Sequence, residues 1–366
     1  MQNSDSLTPS GTHGVLIQSV GTATLTSAAA VAKGLGISAA EVINCLYRAP
    51  AVLVDKVEQK IAEQLSRLLT DIGYEVTVID DTSAIPKNNE LFDVALYLKD
   101  ASQLPEATRK LSKFIGMSEE EASKMLLQPP GMALGSVSEA TVNAFREFMG
   151  DTVDMIAAPQ ADARYDVFLG ECPTIVQKRL LEDLTAAGIP LSANSGLIAT
   201  GVERSAIDPI WQRHKTNGAL RIIQQDFLRF DVVLQQAPNA PLSNEQRRVL
   251  EDIVEIPQDI ADEVVASAPV TLLESIPSRE VPCILEALAQ AQLTVAAELI
   301  TFQALGLKIT ACAQTAAVNA VLNAFGIPHT FRRAPEILPN AYPEIQARVI
   351  RDALERAGAS VELLKH

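Results

Sequence analysis

The feature that most constrains the fold is a helix-length segment, closed by a proline, that the chain writes three times. "GISAAEVINCLYRAPA" starts at Gly36, "GMSEEEASKMLLQPPG" at Gly116 and "EIPQDIADEVVASAPV" at Glu255; each reaches its proline after fourteen residues. Ser38 and Ser118 have the character of helix N-caps, and Glu41 and Glu121 three residues on complete capping boxes. In the third copy Pro257 sits where a first helical turn tolerates it. "RAP", "QPP" and "SAP" then stop each helix, because the residue before a proline is pushed out of the helical region.

The repetition extends beyond these segments. Five apolar, strand-like runs open successive stretches of chain: "GVLIQSV" at Gly14, "FDVALYL" at Phe92, "YDVFLGE" at Tyr165, "FDVVLQQ" at Phe230 and "LKITACA" at Leu307. Three share an aromatic-Asp-Val opening, and their starts lie roughly 65 to 80 residues apart, the period of an array of small supersecondary units. The first unit continues with "EQKIAEQLSRLLTDIG", in which Ile61, Leu65, Leu68, Leu69 and Ile72 recur at helical spacing as one inward face and Gly73 is placed as the C-cap. In the last unit Ile345, Val349, Ala353 and Leu354 face inward and Gly358 closes the helix. The third and fifth units leave no room for the middle helix.

The expected fold class is therefore α+β: a tandem array of about five small units, three βααβαβ and two shortened to βαβαβ, each a small sheet backed by helices. A flexible tail is expected over 1–13, followed by units at 14–80, 92–158, 165–227, 230–300 and 306–366.

Strand, helix, glycine turn, short helix, Ala-Pro, strand, helix and strand resemble the C-terminal domain of the bacterial ribosomal stalk protein. The fourth unit is similar over its whole length, from "FDVVL" through "RRVLEDIV" and "ADEVVASAPVTLLESIP" to "REVPCILEALAQAQLTVAAEL". The second unit's "GMSEEEASKM" looks like ClpS, a protease adaptor of the same fold. The resemblance implies a bacterial, non-enzymatic protein that binds protein partners through helix faces. It also implies what is lost. The stalk domain's GTPase-contacting lysines are replaced by "GISAAE", "GMSEEE" and "EIPQDI". The amine-holding segment of ClpS becomes "YLKDAS", which keeps Asp100 beside Lys99.

Composition narrows function further. With a formal charge of -15 over 366 residues, the chain lacks the cations that phosphate backbones require, so nucleic acid is not an expected partner. Nearly half the residues (48%) are apolar, enough for packed cores. No apolar run approaches the ~18 residues of a membrane span, and the polar start shows no signal peptide. Cys45, Cys172, Cys283 and Cys312 are widely separated, which fits thiols in a reducing cytoplasm, with Cys45 and Cys283 packed inside helices. No catalytic set, cofactor motif or metal-ligand spacing is legible among the four histidines, and the acidic run Glu119–Glu121 reads as complementing a helix dipole.

The expected binding residues are protein-contacting ones. Trp211, the only tryptophan, stands beside Arg213, His214 and Lys215 in an otherwise acidic chain; it is either a docking anchor or a filler for the core of a unit short of a helix. Residues 230–300 carry a net charge of -9 and residues 306–366 a net +2, counted from the sequence. Arg332, Arg333, Arg348, Arg351 and Arg356 are the residues of the last unit that approach a basic helix face. A ligand-binding or enzymatic site between units, near Ser192, Asn194, Ser195 and Arg213, is one alternative; a ribosome- or GTPase-associated factor, following the stalk resemblance, is the other. Free edges of small sheets leave pairing between units or copies open.

Overall fold

The computed structural model describes residues 11–80, 90–170, 172–192 and 196–365. Five small sheets are present, each built around the first strand of one repeat. Repeat 1 runs β1 (His13–Ser19), α1 (Ala28–Leu35), α2 (Ala39–Tyr47), β2 (Ala51–Val57), α3 (Gln59–Ile72) and β3 (Glu75–Ile79). Repeat 2 repeats the order with β4 (Phe92–Tyr97), α4 (Leu104–Ile115), α5 (Glu119–Leu126), β5 (Met132–Val137), α6 (Glu139–Met149) and β6 (Asp154–Pro159). Repeat 3 omits the middle helix: β7 (Arg164–Leu169), α7 (Thr174–Ala186), β8 (Leu197–Glu203), α8 (Arg204–His214) and β9 (Leu220–Gln224). Repeat 4 restores it, with β10 (Arg229–Leu234), α9 (Asn244–Val254), α10 (Ala261–Ala266), β11 (Val270–Pro277), α11 (Val281–Gln290) and β12 (Val295–Leu299). Repeat 5 is again short: β13 (Ala304–Cys312), α12 (Thr315–Ala324), β14 (Glu336–Ile337), β15 (Tyr342–Pro343), α13 (Glu344–Arg356) and β16 (Ala359–Lys365).

The chain divides into two compact bodies. One holds Met1–Ala161, Leu307–Pro339 and Ile345–Leu363; the other holds Asp162–Gly306, Asn340–Glu344 and Leu364–His366. Repeats 1, 2 and most of 5 thus share the first body, and repeats 3 and 4 the second.

In repeats 1 to 4 the first strand is central and both partners run antiparallel to it. The expected aromatic-Asp-Val opening has a specific task there. The second strand bulges opposite the aspartate, and its bulged residue adopts a left-handed backbone: Ser136 (φ 56°), Gly201 (φ 66°) and Ser275 (φ 58°). The amide of each donates to the aspartate across the sheet, Ser136 to Asp93, Gly201 to Asp166 and Ser275 to Asp231, all at 3.0 Å. A bulge leaves one amide out of the ladder, and a buried donor must be satisfied. Repeat 1 has Gly14 where the others have aspartate. Its bulged Lys56 (φ 56°) is instead held by Asp55, the preceding residue of the same strand, at 2.7 Å.

Helix ends follow the local signals. Ser38–Glu41 and Ser118–Glu121 form complete capping boxes, and Gly36, Gly73 and Gly116 close α1, α3 and α4 in left-handed conformations. Glu255 performs the same closure for α9 without being glycine (φ 59°). The peptides ending at Pro50, Pro130, Pro269 and Pro335 are cis. Pro257 lies outside α10: its carbonyl accepts from the Ile260 amide in the turn before that helix.

Three expectations are corrected. β1 begins at His13, and the Gly11 amide donates to the Lys56 carbonyl, so the sheet claims the end of the expected tail; residues 1–10 lie outside the described residues. In α3 only Ala62 and Leu69 are fully buried, while Ile61, Leu68 and Ile72 face solvent. The apolar arc of that helix is wider than the surface its own sheet covers. Cys283 is exposed, because Val281 and Leu288 carry the buried face of α11.

Replacing Asp166 with Ala strips Gly201 N, Thr200 Oγ1 and Gln225 Nε2 of one shared acceptor. The expected loss is about 1–3 kcal/mol, read as a lower urea midpoint. Asp55→Ala, at an exposed site with one local bond, should cost no more than about 0.5 kcal/mol.

Candidate protein-binding surface

The Trp211 cluster is assembled on α8, the second of the two helices of repeat 3, which stands where the full repeats have their third. Ile207, Ile210 and His214 turn inward from α8 at helical spacing, the two isoleucines joining the core of repeat 3. That register sends Trp211 outward, and it is 39% exposed. The indole is therefore not the filler of the shortened repeat. Lys215 Nζ sits 5.3 Å from the centre of its ring, a cation-π distance, and also donates to Gln212 Oε1 at 2.6 Å.

Asp183 of α7 anchors the base of this surface. One carboxylate oxygen accepts from Arg213 Nη1 at 3.1 Å and the other from His214 Nε2 at 2.9 Å. Asn217 Oδ1 accepts from the Ala219 amide, which leaves its Nδ2 donating to His214 Nδ1 at 3.2 Å. The imidazole is thus fixed with its proton on Nε2 and both nitrogens engaged. The His214 hydrogen bond, then the Arg213 charge, hold the Asp183 carboxyl below the usual aspartate range. His214 is only 6% exposed. The expectation that it contributes to a docking face is corrected: it positions the end of α8, while Trp211, Arg213 and Lys215 form the accessible part. Ser192, in the loop before β8, donates its amide to Ile198 O of that strand. Asn194 and Ser195, the remainder of the alternative polar cluster, lie outside the described residues.

The arginines of repeat 5 do not make one basic face. Arg332 and Arg333 are exposed on a turn whose geometry is set by Glu336, which accepts from the Arg332 amide (3.2 Å) and from His329 Nε2 (2.8 Å). The backbone amides of that turn, Arg332 first, together with His329, lower the Glu336 pKa. Arg348 is buried, because it falls among Ile345, Ala347, Val349 and Ile350 on the inward side of α13. Arg351 pairs with its neighbour Asp352 at 3.1 Å. Arg356 is ion-paired with Asp100 of repeat 2. Asp100 also caps its own turn by accepting from Ser102 N, and the same carboxylate oxygen serves both the cap and the arginine.

Among the described residues, no group of three or more His, Cys, Asp or Glu side chains is placed to hold a metal ion, and no helix is long and apolar enough to cross a membrane. The first body has an open cleft of about 650 Å³ between repeats 1 and 2, where Gln18, Thr22, Glu75, Asn143, Glu147 and Phe148 supply carboxylate, amide, hydroxyl and ring surface.

Sequence reading singled out Trp211 and Arg213 but missed Asp183. Thirty-one residues separate Asp183 from His214, and an acid in "LLEDLTAAG" reads as an ordinary surface position. Because the folded pKa of Asp183 is depressed, its contribution to stability is present above the unfolded value of about 3.9 and lost as the pH falls through the folded value. Thermal melts across the acid range should show a shallower decline for Asp183→Asn than for the natural chain. No protein-family model, curated protein or solved structure matches this chain.

Proposed function

We propose that the protein is a non-enzymatic, cytoplasmic scaffold or adaptor whose stalk-domain-like repeats bind protein partners through outward helix faces. The observation that carries this reading is Trp211. A large aromatic side chain, held at a helix end by neighbours that are themselves tied down, is left facing solvent beside two cations. Tryptophan and arginine in such settings supply a disproportionate share of binding energy. The ordering cost is reduced in advance, since Asp183 fixes Arg213 and the Lys215 ammonium lies over the indole. Ile175 of α7, 66% exposed, adds apolar surface in the same repeat.

A second reading, a small-molecule site, is favoured by the cleft between repeats 1 and 2, whose volume is within the range of ligand pockets. Its polar side chains offer acceptors and no cation, which suits a cationic ligand and leaves an anionic one without a counter-charge.

Affinity capture from native lysate, with the intact protein and a Trp211→Ala, Arg213→Ala variant, tests the leading reading. Stoichiometric partners held by the first and lost by the second are expected. Since Trp211 is the only tryptophan, titration of a captured partner should shift its emission to the blue as the indole is covered. Recovery of no protein partner, alongside a co-purifying small molecule, would overturn the adaptor reading in favour of the cleft.

A further inference from the structure

The charges around Trp211 are not equivalent, and the difference bears on what can cover the indole. Arg204, Asp208, Trp211 and Lys215 follow one another at spacings of four, three and four residues, so they form one stripe along α8 and its cap. All four are exposed. The acids of this surface are already engaged within it. Asp208 pairs with Arg204 at 3.5 Å, Glu182 of α7 lies 4.0 Å from Lys178, and Asp183 holds both Arg213 and His214. Glu203, ahead of α8, pairs with Arg164 at 2.8 Å.

Lys215 is the exception. An ammonium has three donors; one goes to the neutral Gln212 Oε1 at 2.6 Å, and no carboxylate pairs with Lys215 among the described residues. Its Nζ nevertheless lies over the indole, 5.3 Å from the ring centre. A partner that covers Trp211 therefore takes water from this ammonium as well. Removing a charge from water is costly unless a counter-charge replaces the water. Arg213 keeps Asp183 for that purpose, but the protein supplies nothing to Lys215. A neutral apolar partner would leave the ammonium stranded. A basic partner would add a second cation where every nearby acid is occupied, with Arg179 of α7 a further exposed cation in the same repeat.

We infer that the segment docking on Trp211 is acidic: it brings an apolar side chain onto the indole and a carboxylate onto Lys215 Nζ. This rests on the reading of Trp211 as a docking residue and adds the chemistry of what docks. The selectivity is local. A formal charge of -15 repels an acidic partner at long range, and the attraction to Lys215 acts within the ~8 Å over which charges are felt at physiological ionic strength.

The single tryptophan makes the test specific, because its emission reports this surface alone. Two tryptophan-free peptides are titrated into the intact protein at physiological ionic strength. Both carry leucines one helical turn apart, and one has glutamate wherever the other has lysine. The glutamate peptide should shift the emission to the blue and bind at this site at least about tenfold more tightly than the lysine peptide. The acidic chain attracts the lysine peptide elsewhere, but binding remote from Trp211 leaves the emission unchanged. Lys215→Met should weaken the glutamate peptide about two- to fivefold, the range of an exposed ion pair. Lys215→Glu should abolish the shift and Lys215→Arg should retain it; all three alter an exposed position and keep the indole. A lysine peptide that shifts the emission at lower concentration would overturn the inference and leave Trp211 a docking residue. A glutamate peptide indifferent to Lys215→Glu would do the same. Silence of both peptides up to millimolar concentration would also overturn it, and if captured partners then fail to move the emission, the docking reading falls too.

Discussion

An amide that the sheet ladder cannot satisfy is what ties these repeats together. In repeats 2, 3 and 4 the second strand bulges, one residue turns left-handed, and the freed N–H is taken by an aspartate of the central strand. Removing that acceptor would leave a donor stranded among half-buried neighbours, and repeat 1, which has no aspartate at that place, keeps its bulge only with a substitute acceptor, Asp55 of the bulged strand itself. The bulge also re-aims the second strand toward the helix that follows it. In this way the short aromatic-Asp-Val opening fixes where each sheet bends and hence where its third helix begins.

That third helix is where the repeats diverge in use. In repeat 2 it is sealed against repeat 1 through Thr141, in repeat 5 it faces repeat 2 through Ala353, and in repeat 3 it carries Trp211 outward. The core positions barely change among them: Ala62 and Leu69, Val142 and Met149, and Ala347 and Leu354 are all buried. What each of these helices presents to its surroundings is set by the residues adjoining that pair. Repeat 3 illustrates the arrangement, with His214 occupying a core position while Arg213 and Lys215 on either side stay accessible.

Much of the fold was legible in the sequence because its signals are local. Capping boxes at Ser38 and Ser118, glycines at helix ends and the proline stops each depend on a few adjacent residues, and the shortened repeats follow from simple lack of chain length. What could not be read depends on distant partners. The α3 stripe had a helical period consistent with burial, and only the extent of its sheet shows how much of it is left uncovered. Arg348 resembled its neighbours Arg351 and Arg356 on paper, yet a turn of one helix separates an interior guanidinium from accessible ones. Asp183 carries no signal of its own until α8 is laid beside it.

The middle helix has a consequence for how such a chain can change. Repeats 3 and 5 do without it, yet in repeat 3 the central strand keeps its antiparallel neighbours and the aspartate still meets the bulged residue. Sheet geometry is therefore indifferent to what is spliced between the first helix and the second strand. That junction is a natural cassette: segments can be exchanged there, by evolution or by an engineer, to alter what a repeat receives without rebuilding the repeat itself.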